Sequence, residues 1–232
     1  MVKYNHIFFD LDRTIWDFEK NSEETISELL GELGLNKKGR ITESDFIKTY
    51  KTINHDLWLD YRSGKVNKTE LRERRFYQSL LKYNIDEPEL ALHFNDAYVK
   101  KCSSKTNLLP HSKEILHYLS KVYVLHVITN GFKEAQHLKL ENSGIRPFFK
   151  EVIVGDEVGI NKPDPRIFYY AFESSTAEPH ESIMIGDDFE ADILGAKEVG
   201  MDQVFFQPNK VEKKTKIATY TVSHLEELKE IL

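Results

Sequence analysis

The order in which hydrophobic periodicities follow one another along the chain constrains its fold more than any single motif. "YNHIFF" (4–9) is an apolar, strand-like run. From there to about residue 107 the chain carries helical patterns and no second convincing strand. "NSEETISELLGELG" spaces Ile26, Leu29, Leu30 and Leu33 along one helix face and stops at Gly34. "TESDFIKTYKTINHDLWLDYRSG" opens on a capping Thr42 three residues before Asp45 and ends at Gly64. "NKTELRERRFYQSLLKYN" and "DEPELALHFNDAYVKKC" read as further helices. Beyond "SSKTNLLP" the pattern alternates: strand "KVYVLHVIT", helix "FKEAQHLKLENSG", strand "EVIVG", helix "DPRIFYYAFESS", strand "SIMIG", helix "DFEADILGAKEVG", strand "QVFF". A weaker strand near "IATYTV" and a helix from Ser223 complete it. Near-continuous apolar strands alternating with helices call for a parallel sheet covered on both faces. The expected fold is α/β: a doubly wound, Rossmann-like parallel sheet core from residues 1–16 and 108–232, with an α-helical cap domain, 17–107, inserted after the first strand.

Composition narrows the function classes. With 232 residues, 40% of them hydrophobic, the chain can bury a full core. A net charge of -6 speaks against binding a nucleic acid polymer, which needs a basic face, and "RERR" (72–75) is too local to reverse that. No apolar stretch is long enough to span a bilayer and "MVKYNHIFFD" lacks a signal-peptide core, so the expectation is a cytoplasmic protein without a membrane partner. The single cysteine, Cys102, rules out an intramolecular disulfide and a cysteine-based zinc cage.

Ligands of open parallel sheets bind outside the carboxyl ends of the strands. Those ends carry Asp10 and Asp12, then Thr129, Asn130 and Gly131, then Lys162 in "NKPDP", then Asp187 and Asp188 with Asp192 a turn later. Each has an ordinary explanation alone: a strand fraying into solvent, a Thr-Asn-Gly turn, or a helix start with Asp164 as cap and Pro165 in the first turn. Their arrival on one sheet edge is what singles them out. Carboxylates from Asp10 and Asp187 suit a hard cation such as Mg2+. Lys162 sets a positive charge opposite them, and the Thr129 hydroxyl with the amides after it offers donors to phosphate oxygens. Asp10 then serves as nucleophile, and Asp12, turned back by the loop, as the acid that protonates the leaving oxygen and the base that activates water.

In the order "DLDRT", "ITNG", "NKPDP" and "GDDFEAD", these segments resemble the motifs of the haloacid dehalogenase-like superfamily, and the helical insertion falls where that superfamily places its cap. The resemblance implies Asp10 as nucleophile and metal ligand, Asp12 as acid/base and backbone-carbonyl metal ligand, and Thr129 as the phosphate-binding hydroxyl. It further implies Lys162 as the charge-neutralising lysine, Asp187 as metal ligand, and Asp188 and Asp192 as supporting acids, Asp192 orienting Lys162 or a metal-bound water. Asp12 marks the phosphatases of the superfamily, since its true dehalogenases lack the second acid. Arg13 stands where a glycine is common and Phe18 where a small residue is usual.

The segment "NHDLWLDYRSGKVNKTELRERRFYQSLL" is similar to the cap of the pyrimidine 5'-nucleotidase branch, around Leu57, Trp58, Tyr61, Gly64, Arg75 and Phe76. Trp58, Tyr61 and Phe76 also suit plain helix packing. Trp16 and Phe18 sit where the catalytic loop passes into the cap, and a flat ring there is a candidate platform for a nucleobase. The expected substrate is a small phosphate ester, a nucleoside monophosphate, handled with Mg2+. The alternatives are a sugar- or acid-phosphate phosphatase or phosphomutase and, from another class, a non-catalytic phosphate-sensing or partner-binding module. A receiver domain of a signalling system shares the acids, threonine and lysine, but its acceptor acid lies on a later strand and it has no cap. None of the nine histidines has metal-ligand spacing, and His126 inside a strand reads as a packed, hydrogen-bonded side chain.

Overall fold

The computed structural model describes residues 3–36, 41–208 and 217–232. They divide into two compact units: the segment ending at Phe18 together with Thr106–Leu232, and Glu19–Lys105.

The first unit is built on a six-stranded sheet, β1 (His6–Phe9), β2 (Val124–Thr129), β3 (Phe149–Val154), β4 (Ser182–Gly186), β5 (Asp202–Phe206) and β6 (Tyr220–Val222). Its order is β3-β2-β1-β4-β5-β6, and every neighbouring pair is parallel. The fold is therefore α/β, with β1 at the centre. The chain first winds from β1 through β2 to β3, then returns to the other side of β1 with β4. That reversal opens a crevice at the carboxyl ends of β1 and β4. Ile7, Phe8 and Phe9 are wholly buried, consistent with a strand covered on both faces, and each contributes about 1.5–3 kcal/mol by leaving water. On one face Phe8, Ile128 and Met184 pack against Ile167, Phe168, Ala171 and Phe172.

The second unit holds α1 (Phe18–Glu32), whose first residue belongs to the sheet unit, α2 (Glu43–Arg62), α3 (Lys68–Leu81) and α4 (Pro88–Ser104). Their ends follow local chemistry. Thr42 accepts from Asp45 N, Asn67 and Glu70 form a reciprocal capping box, and Pro88 occupies the first turn of α4, where its missing N–H costs nothing. The interior is aromatic: Phe76 stacks on Tyr50 at 4.8 Å and on Phe94 at 4.5 Å. Phe76 is thus a packing residue, whereas Trp58 and Tyr61 are half-buried and meet edge to face at 5.5 Å.

In the sheet unit follow α5 (Ser112–Leu119), α6 (Lys133–Asn142), α7 (Gly155–Val158), α8 (Pro165–Ser175), α9 (Gly195–Glu198) and α10 (Leu228–Ile231). Asp164 caps α8 by accepting from Arg166 N. Three features depart from the sequence reading, the first being the short α7, which falls where a strand end at Gly155 and a loop are expected. Helix α5 had no counterpart in that reading, although Ile115, Leu116 and Leu119 line its buried face at helical spacing. The helix expected at "DFEADILGAKEVG" divides into a π-helical stretch, Phe189–Leu194, and the short α9. Among the described residues no helix is long and apolar enough to cross a membrane.

Candidate active site

Asp10 follows β1 but keeps its place in the sheet, because its N–H donates to Ile185 O of β4 at 2.9 Å. The chain then closes a tight turn: Ile15 N and Trp16 N both donate to Leu11 O, and Arg13 N donates to Trp16 O. Arg13 has φ +64°, a conformation that costs a residue with a Cβ about 1–2 kcal/mol and explains why glycine is common at this point of the motif. The outgoing and returning strands of chain pair beside it, with Leu109 N donating to Ile15 O and Asp17 N to Asn107 O.

Lys162 reaches under this turn. Its buried ammonium donates at 2.7 Å to Asp10 Oδ1, to Asp192 Oδ1 and to Ile128 O, which fills its three donor positions. Burial alone would lower its pKa, but the Asp10 and Asp192 carboxylates outweigh that and raise it. Asn130 holds the lysine's backbone with both ends of its carboxamide, accepting from Lys162 N at 2.7 Å and donating to Lys162 O at 2.8 Å. The Asn130 side chain is thus engaged in holding Lys162, which leaves its backbone N–H as the group that could face a phosphate oxygen.

On β4 the approach is equally close. A Cβ on Gly186 would lie 2.1 Å from Asp192 Oδ2, so the absence of a side chain there lets Asp192 enter. The π-helical stretch begins with Asp188 accepting from Glu190 N and Ala191 N, and Asp192 returns to accept from Asp188 N. Asp192 thus has both carboxylate oxygens engaged, one by Lys162 and one by Asp188 N. Asp187 accepts from Thr14 Oγ1 at 3.3 Å.

One carboxylate oxygen each from Asp10, Asp187 and Asp192 lies within 4.8 Å of the others. Burial pushes Asp10 up to about 7, with Lys162 opposing and Asp192 adding to the rise. Asp187 is held well above the carboxylate range by burial and by Asp10 and Asp192, with Arg13 opposing, and burial also raises Asp192. One ammonium does not balance this many acids, and the surplus is what a hard cation would neutralise. Asp10 Oδ2 and Asp187 Oδ2 have no donor among the described residues, so the donor set fits Mg2+.

Thr129 ends β2, and its hydroxyl accepts from Gly131 N and donates to Gln136 Oε1, both at 3.2 Å. Gln136 and Lys139 on α6 were absent from the sequence reading, yet both are buried and both reach Asp12. Polar residues at helical spacing on the inward face of α6 were the available signal. Trp16 is fully buried, with the Lys139 ammonium 4.4 Å from its ring centroid, so it is not an open stacking platform. Phe18 is half-buried, and the Arg13 guanidinium lies 4.4 Å from its ring. The sheet edge thus gathers Asp10, Asp12, Thr129, Lys162 and Asp187 in one place, with Asp188 and Asp192 behind them.

An acid after the first strand, a threonine at the end of the second, a lysine beyond the third and acids after the fourth stand together at one edge of a doubly wound parallel sheet. The chain belongs to the haloacid dehalogenase-like hydrolases, whose family model matches residues 7–206. It is 31% identical to the pyrimidine 5'-nucleotidase YjjG of Escherichia coli over the whole of this chain and 99% of that one. It is 30% identical to a glyceraldehyde 3-phosphate phosphatase of Methanothermobacter thermautotrophicus, covering 97% of this chain and 98% of the other. The HAD-hydrolase YfnB of Bacillus subtilis, solved bound to magnesium and revealing interdomain movement, superposes with a TM-score of 0.89 at 28% identity over 99% of both chains.

Proposed function

We propose that the protein is a Mg2+-dependent phosphomonoesterase that works through an aspartyl-phosphate on Asp10 and takes pyrimidine-type nucleoside 5'-monophosphates. The observation that carries the reaction class is the Lys162 ammonium, held 2.7 Å from Asp10 Oδ1 at the sheet edge where Thr129, Asp12 and Asp187 also stand. Asp10 and Asp187, with the carbonyl of Asp12, would hold the magnesium ion, which when bound supplies positive charge toward the phosphoryl oxygens. Asp10 attacks phosphorus as the ester P–O bond breaks, and Asp12 gives its proton to the departing oxygen. Asp12 then takes a proton from the water that attacks the acyl phosphate, releasing phosphate and restoring Asp10. Lys162, its three donors held by Asp10, Asp192 and Ile128 O, supplies positive charge beside the phosphoryl group in both steps, and the Thr129 hydroxyl binds a phosphoryl oxygen by turning its proton from Gln136. The helical unit, Glu19–Lys105, is assigned the role of a cap that opens to admit substrate and closes against bulk water, a reading supported by the interdomain movement of YfnB.

The preference for nucleotides rests on similarity to a pyrimidine 5'-nucleotidase. A second reading, a phosphatase of small sugar phosphates, is favoured by the glyceraldehyde 3-phosphate phosphatase at 30% identity and by the burial of Trp16, which leaves no open indole face for a base. The test is a hydrolysis panel of nucleoside monophosphates against sugar phosphates, with and without Mg2+ and with Asp10→Asn as blank. The expected result is Mg2+-dependent turnover, highest on pyrimidine nucleotides, and a loss of at least about 10^4-fold in Asp10→Asn. Substantial residual turnover in that variant sinks the mechanism, while equal or faster hydrolysis of sugar phosphates sinks the nucleotide assignment.

A further inference from the structure

Helix α6 brings two buried polar side chains to Asp12. Lys139 donates to both of its oxygens, at 2.7 Å to Oδ1 and 2.9 Å to Oδ2, and Gln136 Nε2 donates to Oδ2 at 3.1 Å. Both carboxylate oxygens are thereby held from one helix. Lys139 is itself confined, its ammonium 4.4 Å from the Trp16 ring centroid and 5.8 Å from that of Phe18. Gln136 works at both ends, because the amide oxygen that complements its bond to Asp12 accepts from Thr129 Oγ1 at 3.2 Å. It reaches that position through the gap at Gly131, where a Cβ would lie 1.9 Å from Gln136 Nε2.

Stability alone is a poor reason for this arrangement. Ordering a lysine side chain costs about 2 kcal/mol of rotamer freedom, and the loss of hydration on taking the pair largely out of water offsets much of its attraction. Asp12 is the only carboxylate that Lys139 touches among the described residues, and its side chain is 21% exposed. We propose that Lys139 and Gln136 are positioning residues that fix the Asp12 carboxylate for proton transfer to the leaving oxygen and tie it to Thr129. This rests on the function proposed above. Trp16 and Phe18 then act as the wall that keeps Lys139 on Asp12.

A residue that acts through the proton donor should matter in proportion to how much the leaving group needs a proton. The experiment measures kcat/KM, which reports the step that phosphorylates Asp10, for the parent and Lys139→Met on a nucleoside 5'-monophosphate, phenyl phosphate and 4-nitrophenyl phosphate. The expected loss is about 100-fold on the alkyl ester and under about 10-fold on 4-nitrophenyl phosphate, whose leaving group departs unprotonated. Lys139→Arg, which can engage both carboxylate oxygens, should return the profile toward the parent's. The same fold-loss on all three esters, or none on any, overturns the inference. If Lys139→Met does not unfold cooperatively like the parent, Gln136→Leu is read in the same way, and an unchanged leaving-group profile there is equally fatal. A parent inactive on every ester removes the function on which the inference rests, whereas an active parent with a uniform loss removes only the positioning role.

Discussion

Strands β1 and β2 bury ionisable side chains toward both of their ends. At the carboxyl ends Asp10 meets Lys162 and Asp192, whose burial is compensated by direct bonds at 2.7 Å. Toward the amino ends His6 and His126 stand side by side, Nδ1 to Nε2 at 3.0 Å, and the His126 ring stacks on Phe8 at 4.6 Å. Among the described residues no acid bonds to either ring, although Glu181 lies near enough to favour charge on His6, and His126 Nδ1 has no partner. Burial with His6 and Lys150 nearby pushes the His126 pKa down to about 3, so the ring stays neutral. One end of the sheet keeps charge by assembling partners for it, and the other removes charge by shedding the proton. The first solution makes a site in which every member depends on the others, and the second makes core.

That dependence is exposed most sharply by Lys162→Met. The methionine fills similar space but leaves Asp10 and Asp192 buried together without their shared cation, and breaking a buried pair from one side costs about 3–5 kcal/mol. Urea unfolding should show a loss of that order, and activity should vanish with it. A variant as stable as the parent would mean that the acids are balanced by something other than Lys162. Next in size is Gly186→Ala. The new methyl group would sit 2.1 Å from Asp192 Oδ2 and 2.6 Å from its Cβ, so the whole side chain must move and not only its tip. We expect about 1–3 kcal/mol of destabilisation together with lower turnover, as Asp192 loses its bond to Lys162.

The contrast also marks what the amino-acid sequence could disclose. The period of the strands and their order along the chain place Asp10, Thr129, Lys162 and Asp187 on one edge before any coordinate is known, because a parallel sheet aligns all its carboxyl ends. His126 was legible for the same reason, as a polar residue inside an apolar strand. The hold of Gln136 and Lys139 on Asp12 was not, since it depends on the turn made at Arg13 with φ +64° and on the rotation of α6 against it. Nor was the clamp of Asn130 on the Lys162 backbone, a contact between loops that no periodicity encodes. For Trp16 and Phe18 the place beside the loop after β1 was visible but the exposure of each ring was not: Trp16 is fully buried with Lys139 near its ring, and Phe18 is half-buried beside Arg13.

The smallest effect belongs to the neutral end and is a matter of pH. His126 has a folded-state pKa near 3 against an ordinary value of 6.5, so between those limits the unfolded chain takes up a proton that the native ring refuses. Native stability must therefore fall as the pH drops from about 6.5 toward 3, and the group contributes no such penalty above that window. His126→Leu removes the titrating ring. Melting temperatures of variant and parent should differ little at pH 7 and diverge in the variant's favour as the solution is acidified. His6, lowered in the same sense by burial, keeps part of the slope in the variant, so the acid limb should flatten without disappearing. Parallel melting curves down to pH 4 would show that His126 is not held neutral, and the two ends of the sheet would then differ less than their contacts indicate.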